Sequence, residues 1–372
     1  MKFYSLIKNT CSLAELIKPL FKLRKSLIIR IFNLSKNIYL VRLQITFILF
    51  LIFQSGCKEN AVSPLVFGET TLTDLGLNNI PVSSIVISGA NIIVAGCNPS
   101  VYIYISKDKG STWTSQYYPP WTISSPGTNI VTNAQVKLFA EGTNIFAGVK
   151  ANSGSVSIST DNGITWKQRD PDFVQNVNCF ASIGSTIYAG TENGVYLTND
   201  DGLSWNASIA KLSFSVNYLA VIGTTLFASG EYGIFRSTNN GKSWTPTNSG
   251  LPNIFINGLA VVGKDIFAGI YQPPEDSSGG VYVSTNNGNS WTACNDGLTN
   301  HAIGQLYAGT SILVVGTLYG FFLSNNSGQY WTDISSAIAV DSSEITAIAI
   351  YGSDLFLGTN GNGIWLYPLS SN

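Results

Sequence analysis

Side chains that could perform metal or nucleophilic chemistry are few in this chain of 372 residues. It contains a single histidine, His301, and beyond residue 57 its cysteines are scattered, at Cys97, Cys179 and Cys294. A protein zinc site needs three or four clustered ligands. A serine–histidine–acid triad needs a nucleophile on a sharp turn, and no such motif occurs. We therefore expect no metal, no cofactor and no nucleophilic triad.

Paired carboxylates are the remaining catalytic possibility. A glycoside hydrolase needs only two acids at a set separation. Glu192, Glu231, Glu275 and Asp276 lie between apolar runs, where loops are expected. Acids in surface loops are more often solvated than catalytic. The sequence thus leaves catalysis open and favours a protein without it.

Aromatic residues in the same kind of stretch point to binding. Two insertions, at 116–135 and 271–280, contain Gln-Tyr-Tyr-Pro-Pro-Trp and Tyr-Gln-Pro-Pro-Glu-Asp. Aromatic rings with scattered acids suit a glycan or a protein partner, although such rings can also pack only against their own loop. The candidate ligand-binding residues are Tyr117, Tyr118, Trp121, Arg169, Glu192, Glu231, Tyr232 and Tyr319.

A repeated octet must position these residues. Residues 237–244 read Ser-Thr-Asn-Asn-Gly-Lys-Ser-Trp, and related octets occur at 106–113, 159–166, 198–205, 284–291 and 324–331. The successive tryptophans are 53, 39, 39, 47 and 40 residues apart. A period near forty residues indicates an array of one supersecondary unit.

Each position of the octet suits a tight turn that carries its own anchor. The Asp or Asn at the third position can bond backbone N–H groups, and the glycine at the fifth permits a positive φ. The final tryptophan supplies a large apolar surface and one N–H group. We therefore expect turns, not ligand sites, with these structural residues: Asp108, Trp113, Asp161, Trp166, Asp200, Trp205, Asn239, Trp244, Asn286, Trp291, Asn326 and Trp331.

The octet resembles the Asp-box, or bacterial neuraminidase repeat, Ser-x-Asp-x-Gly-x-Thr-Trp. The copies at 106–113 and 159–166 match it in full. Sialidases, sortilin-type receptors, xyloglucanases and photosystem assembly factors look alike in this box, so the resemblance implies a β-propeller and no single activity. Sialidases resemble one another in an arginine triad that clamps a carboxylate. Beyond residue 57 the only arginines are Arg169 and Arg236, so sialidase activity is not expected.

Apolar alternation between the octets predicts four strands in each unit. First strands are expected near Ser84, Val136, Val177, Val216, Ile256, Ile303 and Ile345. The last unit has no octet and no fourth strand, whereas residues 69–81 look like the end of a unit. The sequence therefore predicts an all-β fold: a seven-bladed β-propeller of four-stranded antiparallel blades with Asp-box turns, closed by an N-terminal strand. Both insertions should lie on the face opposite the octets.

The first 56 residues differ from the rest, because they hold nine basic residues and one acid and end in an apolar run at 45–53. This pattern is typical of a secretory signal. Ser-Gly-Cys57 resembles the end of a bacterial lipobox, and the following Lys-Glu resembles the export signal of Bacteroidetes surface lipoproteins. The alternative is an ordinary signal peptide or an uncleaved anchor, although a span needs about 20 residues. We expect a leader over 1–56 (translated from near residue 40), a tether over 57–65 lipidated on Cys57, and a propeller over 66–372.

Charge limits the possible partners. Of the 20 basic and 21 acidic residues, 11 and 20 remain after residue 56, which gives a net charge of −9. Nucleic-acid binding needs a basic surface and is not expected. The sequence predicts an exported monomer, lipid-anchored to the outer membrane or cell surface. It would bind a glycan or an envelope or extracellular protein through loops opposite the Asp-boxes. The alternatives are a glycoside hydrolase or lyase with paired loop carboxylates, and an assembly or scaffold factor.

Overall fold

The computed structural model describes residues 72–97, 100–117, 134–151, 154–272, 278–337 and 345–369. The chain divides into two compact units, Met1–Val62 and Ser63–Asn372, and the described residues all lie in the second. Within them, no helix is long and apolar enough to cross a membrane. The predicted leader, the tether and five candidate residues lie outside the described residues: Cys57, Tyr118, Trp121, Glu275 and Asp276.

Seven four-stranded antiparallel sheets form the described part of the chain, which confirms the predicted propeller. Blades 1 and 2 consist of β2 (Val82–Ser88), β3 (Asn91–Cys97), β4 (Val101–Ser106), β5 (Thr114–Tyr117), β6 (Gln135–Glu141), β7 (Asn144–Lys150), β8 (Ser155–Ser159) and β9 (Lys167–Gln168). Blades 3 and 4 consist of β10 (Val177–Ile183), β11 (Thr186–Thr191), β12 (Gly194–Thr198), β13 (Asn206–Ala207), β14 (Val216–Ile222), β15 (Thr225–Gly230), β16 (Gly233–Ser237) and β17 (Thr245–Pro246).

The remaining strands complete three further blades. Blades 5 and 6 consist of β18 (Ile256–Val262), β19 (Asp265–Ile270), β20 (Gly280–Ser284), β21 (Thr292–Ala293), β22 (Ile303–Ala308), β23 (Leu313–Thr317), β24 (Gly320–Ser324) and β25 (Thr332–Asp333). Blade 7 consists of β26 (Ile345–Tyr351), β27 (Asp354–Thr359), β28 (Ile364–Pro368) and, from the start of the domain, β1 (Thr73–Asp74). One 3-10 turn, Ser335–Ala337, follows β25.

The N-terminal strand closes the ring as predicted. Thr73 of β1 pairs with Leu366 of β28 in antiparallel register, and the backbone N–H of Leu75 donates to the carbonyl of Ile364 at 2.8 Å. Because β1 fills the fourth position of blade 7, the ring is joined by β-ladder hydrogen bonds between the two ends of the domain.

The hydrophobic core is divided into layers between neighbouring blades. Each buried cluster combines residues of two adjacent blades, and the seven clusters include one between blades 1 and 7. Phe146 of blade 2, for example, packs against Val177 and Phe180 of blade 3. We call each such interface a seam. Stability therefore comes from the contacts between blades, since one blade alone cannot bury its faces.

A β-bulge distinguishes the first strand of six blades from that of blade 2. The register shifts once within β2, β10, β14, β18, β22 and β26. In blades 3 and 5 the bulged residue bonds the next blade, since Asn178 donates to the carbonyl of Val216 at 3.1 Å and Asn257 to that of Ile303 at 3.0 Å. The pairing of β6 with β7 has no shift, so the seam between blades 2 and 3 lacks this bond.

The octets fold into turns whose polar atoms bond one another. In residues 159–166, the Ser159 hydroxyl donates to the Asp161 carboxylate at 2.8 Å and accepts from the N–H of Gly163 at 2.8 Å. The same carboxylate accepts from the N–H and hydroxyl of Thr165 at 2.8 and 2.6 Å. Gly163 has a φ of +88°, which glycine adopts without strain.

The octet tryptophans connect neighbouring blades. The indole N–H donates to the preceding blade in Trp113 (to Leu75 O, 2.8 Å), Trp244 (to Ser208 Oγ, 3.4 Å), Trp291 (to Thr247 O, 2.8 Å) and Trp331 (to Cys294 O, 2.7 Å). Trp166 differs, because its indole bonds Gly163 of its own turn at 2.9 Å. The octet side chains are thus largely engaged in hydrogen bonds that stabilise the turns and seams.

Candidate partner-binding face

The antiparallel order of the strands separates the connections into two sets. Turns between strands one and two, together with the octets, lie at one end of each blade, which we call the Asp-box face. Connections between strands two and three, and between strand four and the next blade, lie at the other end, which we call the loop face. The described ends of both long insertions lie on the loop face, because β5 ends at Tyr117 and β6 begins at Gln135, whereas β19 ends at Ile270 and β20 begins at Gly280.

Large exposed hydrophobic residues are concentrated on the loop face. Eleven such residues occur in the described part of the chain, and only Ile164, Leu203 and Tyr330 belong to the octets. The other eight are on the loop face: Val174, Ile209, Tyr232, Ile254, Phe255, Tyr271, Leu318 and Tyr319. An uneven distribution of this kind is characteristic of an interaction surface.

Five of these residues that are at least 39% exposed lie on three consecutive blades, and we call them the apolar arc: Tyr232, Phe255, Tyr271, Leu318 and Tyr319. Tyr232 and Tyr319 are the second residues after strand two in blades 4 and 6, and they are 57% and 70% exposed. Phe255, immediately before β18 of blade 5, is 64% exposed. The arc therefore extends across the loop-face ends of blades 4, 5 and 6.

The backbone of the arc is fixed by hydrogen bonds. The N–H of Tyr271 donates to the carbonyl of Phe255 at 3.1 Å, and the N–H of Leu318 donates to that of Ala302 at 3.1 Å. The ring of Tyr232 contacts that of Phe214 edge-on, with 5.3 Å between the centroids. Exposed rings with a fixed base lose little conformational freedom when a partner binds.

The candidate carboxylate Glu192 is part of a polar cluster at the loop-face end of the seam between blades 2 and 3. It accepts from the side-chain amide of Asn176 at 3.0 Å and pairs with Lys150 at 3.1 Å. The hydrogen bond from Asn176, followed by that from Lys150, lowers the pKa of Glu192. A general acid of a glycosidase needs a raised pKa, so Glu192 in this state is suited to charge pairing and not to proton donation.

The other predicted residues occupy different places. Glu231 is exposed on the loop face of blade 4, beside Tyr232. Arg169 is not brought to this group, because its Cβ lies 4.0 Å from where a Cβ on Gly202, the octet glycine of the next blade, would be. Its Nε is buried without a partner among the described residues. Tyr117 ends β5, next to the first insertion.

Sequence reasoning missed the aliphatic and phenylalanine members of the exposed set. Ile209, Ile254, Phe255 and Leu318 lie within a few residues of a strand end, where an apolar residue reads as the continuation of a strand. The one sequence signal for them is position, since a connection between strand four and the next strand one ends on the loop face, where the next blade begins.

Metal binding has no support from the described residues, in which no three His, Cys, Asp or Glu side chains form a group that could hold an ion. Cys97, Cys179 and Cys294 are half-buried.

Comparison with known proteins agrees with this architecture. Residues 157–168 match the family model described as BNR/Asp-box repeat. The chain is a β-propeller with BNR/Asp-box repeats. No curated protein sequence matches this propeller significantly.

Several solved structures are similar to this chain in fold. Their sequence identity to it is too low for the likeness to show more than the fold. YCF48 from Cyanidioschyzon merolae superposes with a TM-score of 0.61 at 14% identity, over 80% of this chain and 99% of that one. YCF48 bound to D1 peptide gives a TM-score of 0.60 at 14% identity, over 82% and 99%. The extracellular domain of the putative hybrid two component system BT3049 from B. thetaiotaomicron gives 0.60 at 15% identity, over 81% and 42%. The GH74 xyloglucanase from Xanthomonas campestris gives 0.58 at 13% identity, over 81% and 54%.

Proposed function

We propose that this propeller is a non-catalytic binding protein of the cell envelope that holds a protein partner on its loop face. The observation that carries the proposal is the segregation of large exposed hydrophobic residues, of which the described residues include eight in loop-face connections and three in the octets. Aliphatic residues beside tyrosine and phenylalanine are typical of the centre of a protein–protein interface. Exposed apolar side chains gain no hydrophobic stabilisation in a solvated loop, whereas a partner would remove them from water.

A glycan is the second candidate for the same face. The observation that favours it is the pair of exposed rings, Tyr232 and Tyr319, at equivalent positions of two blades. Rings of this kind offer flat apolar surfaces to sugar rings, and Gln272 lies at the equivalent position of blade 5 with an amide for hydroxyl groups. Tyr117, Tyr118 and Trp121 of the first insertion belong to the same proposed surface, as do Glu192 and Glu231.

The proposed cellular location of the protein rests on its N-terminal leader. We propose that residues 1–56 direct export, that Cys57 becomes the lipidated N-terminus, and that residues 57–65 connect it to the propeller on the outer membrane or cell surface. The fold resemblance to extracellular domains and to a peptide-bound propeller is compatible with this placement. A Cys57→Ala variant should lose incorporation of a fatty-acid analogue and appear in the soluble fraction.

The decisive experiment compares two double variants of matched exposure. Y232S/Y319S removes two rings of the apolar arc, and I164S/L203S removes two exposed residues of the Asp-box face, which are 49% and 56% exposed. Cross-linking on intact cells and a glycan panel, with released reducing sugar measured in parallel, should show binding that Y232S/Y319S loses and I164S/L203S keeps. Binding unaffected by Y232S/Y319S would contradict the proposal, and sugar release would support the glycosidase alternative.

A further inference from the structure

The seam between blades 2 and 3 departs from the other seams in its charge. At one equivalent position in every blade, a residue of strand one pairs with a Gly, Ala or Ser of strand two. In six blades this strand-one residue is uncharged: Ser84, Cys179, Tyr218, Gly258, Gln305 and Ala347. In blade 2 this residue is Lys137, opposite Gly148. Blade 2 therefore has a cation at a position where the other six blades have neutral side chains.

The register places a second cation beside Lys137. Lys150 is two residues beyond Gly148 on β7, so Lys137 and Lys150 share one face of the blade as diagonal neighbours. Diagonal cross-strand neighbours are about 7–8 Å apart. This face is directed at blade 3, because a Cβ on Gly148 would meet Val177 at 2.6 Å and Phe180 at 2.8 Å. Both ammonium groups thus belong to the same seam.

Lys150 has a counter-ion and Lys137 has none among the described residues. Lys150 bonds the carboxylate of Glu192 at 3.1 Å and the side-chain carbonyl of Asn178 at 3.2 Å. The other carboxylate on this face, Glu141, lies four residues along β6 and accepts from Ser182 at 2.7 Å. The neighbouring insertion, 118–133, contains no Asp or Glu in its sequence.

The nearby thiol does not neutralise Lys137. Burial raises the pKa of Cys179 to about 12, so this thiol is uncharged at neutral pH. Burial also lowers the pKa of Lys137, and the charge of Lys150 adds to this effect. An amine that is half-buried beside a second cation is costly to keep charged, and an added anion would remove that cost.

We propose that the seam between blades 2 and 3 binds one carboxylate group between the ammonium groups of Lys137 and Lys150. We take the ligand to be a monoanion, because Glu192 compensates Lys150 and Lys137 is the one cation here without a paired carboxylate among the described residues. A carboxylate can accept from both amines at once through its two oxygens. This site is separate from the apolar arc and does not depend on what binds there.

The test measures the pKa of Lys137 by NMR of ¹³C-methylated lysines, with the signal assigned from a K137Q variant. Acetate is the probe, and acetamide is its uncharged isostere. Acetate should raise the pKa of Lys137 by about 1 with saturation, and acetamide should leave it unchanged. No response to acetate, or an equal response to acetamide, would overturn the proposal. A stronger response to inorganic phosphate at equal concentration would overturn the assignment to a monoanion.

Substitutions of Lys150, Lys242 and Lys137 test the proposal in proteins that are expected to fold. K150Q should abolish the acetate effect on Lys137, whereas K242Q, an exposed lysine of the blade 4 octet, should preserve it. K137Q reproduces the residue type of blade 6, so we expect it to fold, to melt no lower than the wild type and to lose the acetate-dependent rise in melting temperature. A rise that persists in K137Q, or an acetate effect on Lys137 that persists in K150Q, would show that acetate binds elsewhere.

Discussion

The indole N–H of Trp113 donates to the carbonyl oxygen of Leu75 at 2.8 Å, across 38 positions of sequence. Leu75 directly follows β1, which completes blade 7, and Trp113 directly precedes β5, the fourth strand of blade 1. The bond therefore connects the closing strand to the first blade, in addition to the ladder that β1 forms with β28.

Loss of this bond should loosen the closing strand. We expect W113F to accelerate hydrogen exchange of the Leu75 amide, which donates to Ile364, by roughly five-fold, because one hydrogen bond contributes about 1 kcal/mol. W166F is the matched control, since its indole bonds its own turn. Equal protection of residues 72–77 in both variants, measured by mass spectrometry, would show that the ladder alone holds the strand.

The octets of blades 1 to 3 carry Asp and those of blades 4 to 6 carry Asn, which predicts a difference in acid. Hydrogen bonds from Thr198 and then Ser204 lower the pKa of Asp200 to about 2. A carboxylate whose folded pKa lies below its unfolded value of about 3.9 stabilises the fold above that value. This contribution should be lost as pH falls from about 4 to about 2.

D200N should remove that pH dependence and keep the turn. Asn239 shows how, because its Oδ1 accepts from Ser237 at 2.9 Å and its Nδ2 donates to Ser243 at 2.8 Å. D200A loses these bonds and should cost about 1 kcal/mol at neutral pH, as for other capping side chains. Urea unfolding at several pH values measures the stability of both variants. If the free energy of unfolding of D200N falls in acid as much as that of the wild type, another group causes the acid dependence.

How much of this molecule the sequence predicts depends on whether a feature is repeated. The octets, the seven first strands and the closing strand follow from a period and from local turn chemistry, so they could be recognised without the structure. Arg169 shows the limit. It follows a short fourth strand, so the sequence places it on the loop face, but its Cβ lies near the octet glycine Gly202 of the next blade. Contacts across seams leave no local pattern.

The missing bulge of blade 2 could not be predicted for the same reason. Asn178 and Asn257 are ordinary strand residues in the sequence, and only the register shows that they bond the next blade. Lys137 likewise reads as one lysine in an apolar strand. Its importance comes from comparing equivalent positions of seven blades, and these positions become aligned only when the pairing partners are known.

Burial should make two of the cysteines unreactive. The pKa values of Cys179 and Cys294 are both raised by burial, to about 12. Because the thiolate is the nucleophile, alkylation by iodoacetamide at mildly alkaline pH should be at least about 100-fold slower in the native protein than in guanidinium chloride. Peptide mass spectrometry measures each site separately, and rapid native labelling of Cys179 would show that the seam between blades 3 and 4 opens.

Replacement of Glu192 separates a structural ion pair from a catalytic acid. Its pairing with Lys150 is largely exposed, so E192Q should cost only about 0.5 kcal/mol at neutral pH. Since the pKa of Glu192 is lowered, its contribution is present above the unfolded pKa of about 4.3 and lost as pH falls through the folded value. The stability difference between the wild type and E192Q should therefore shrink below that pH.

A double-mutant cycle of E192Q with K150Q measures the pair itself, with E231Q as the control for an exposed loop acid without this partner. We expect a small coupling for the first pair that disappears in acid, and no coupling between E231Q and K150Q. If the propeller releases sugar from any member of a glycan panel and E192Q or E231Q abolishes that release while binding persists, these carboxylates are catalytic and the binding-protein proposal fails.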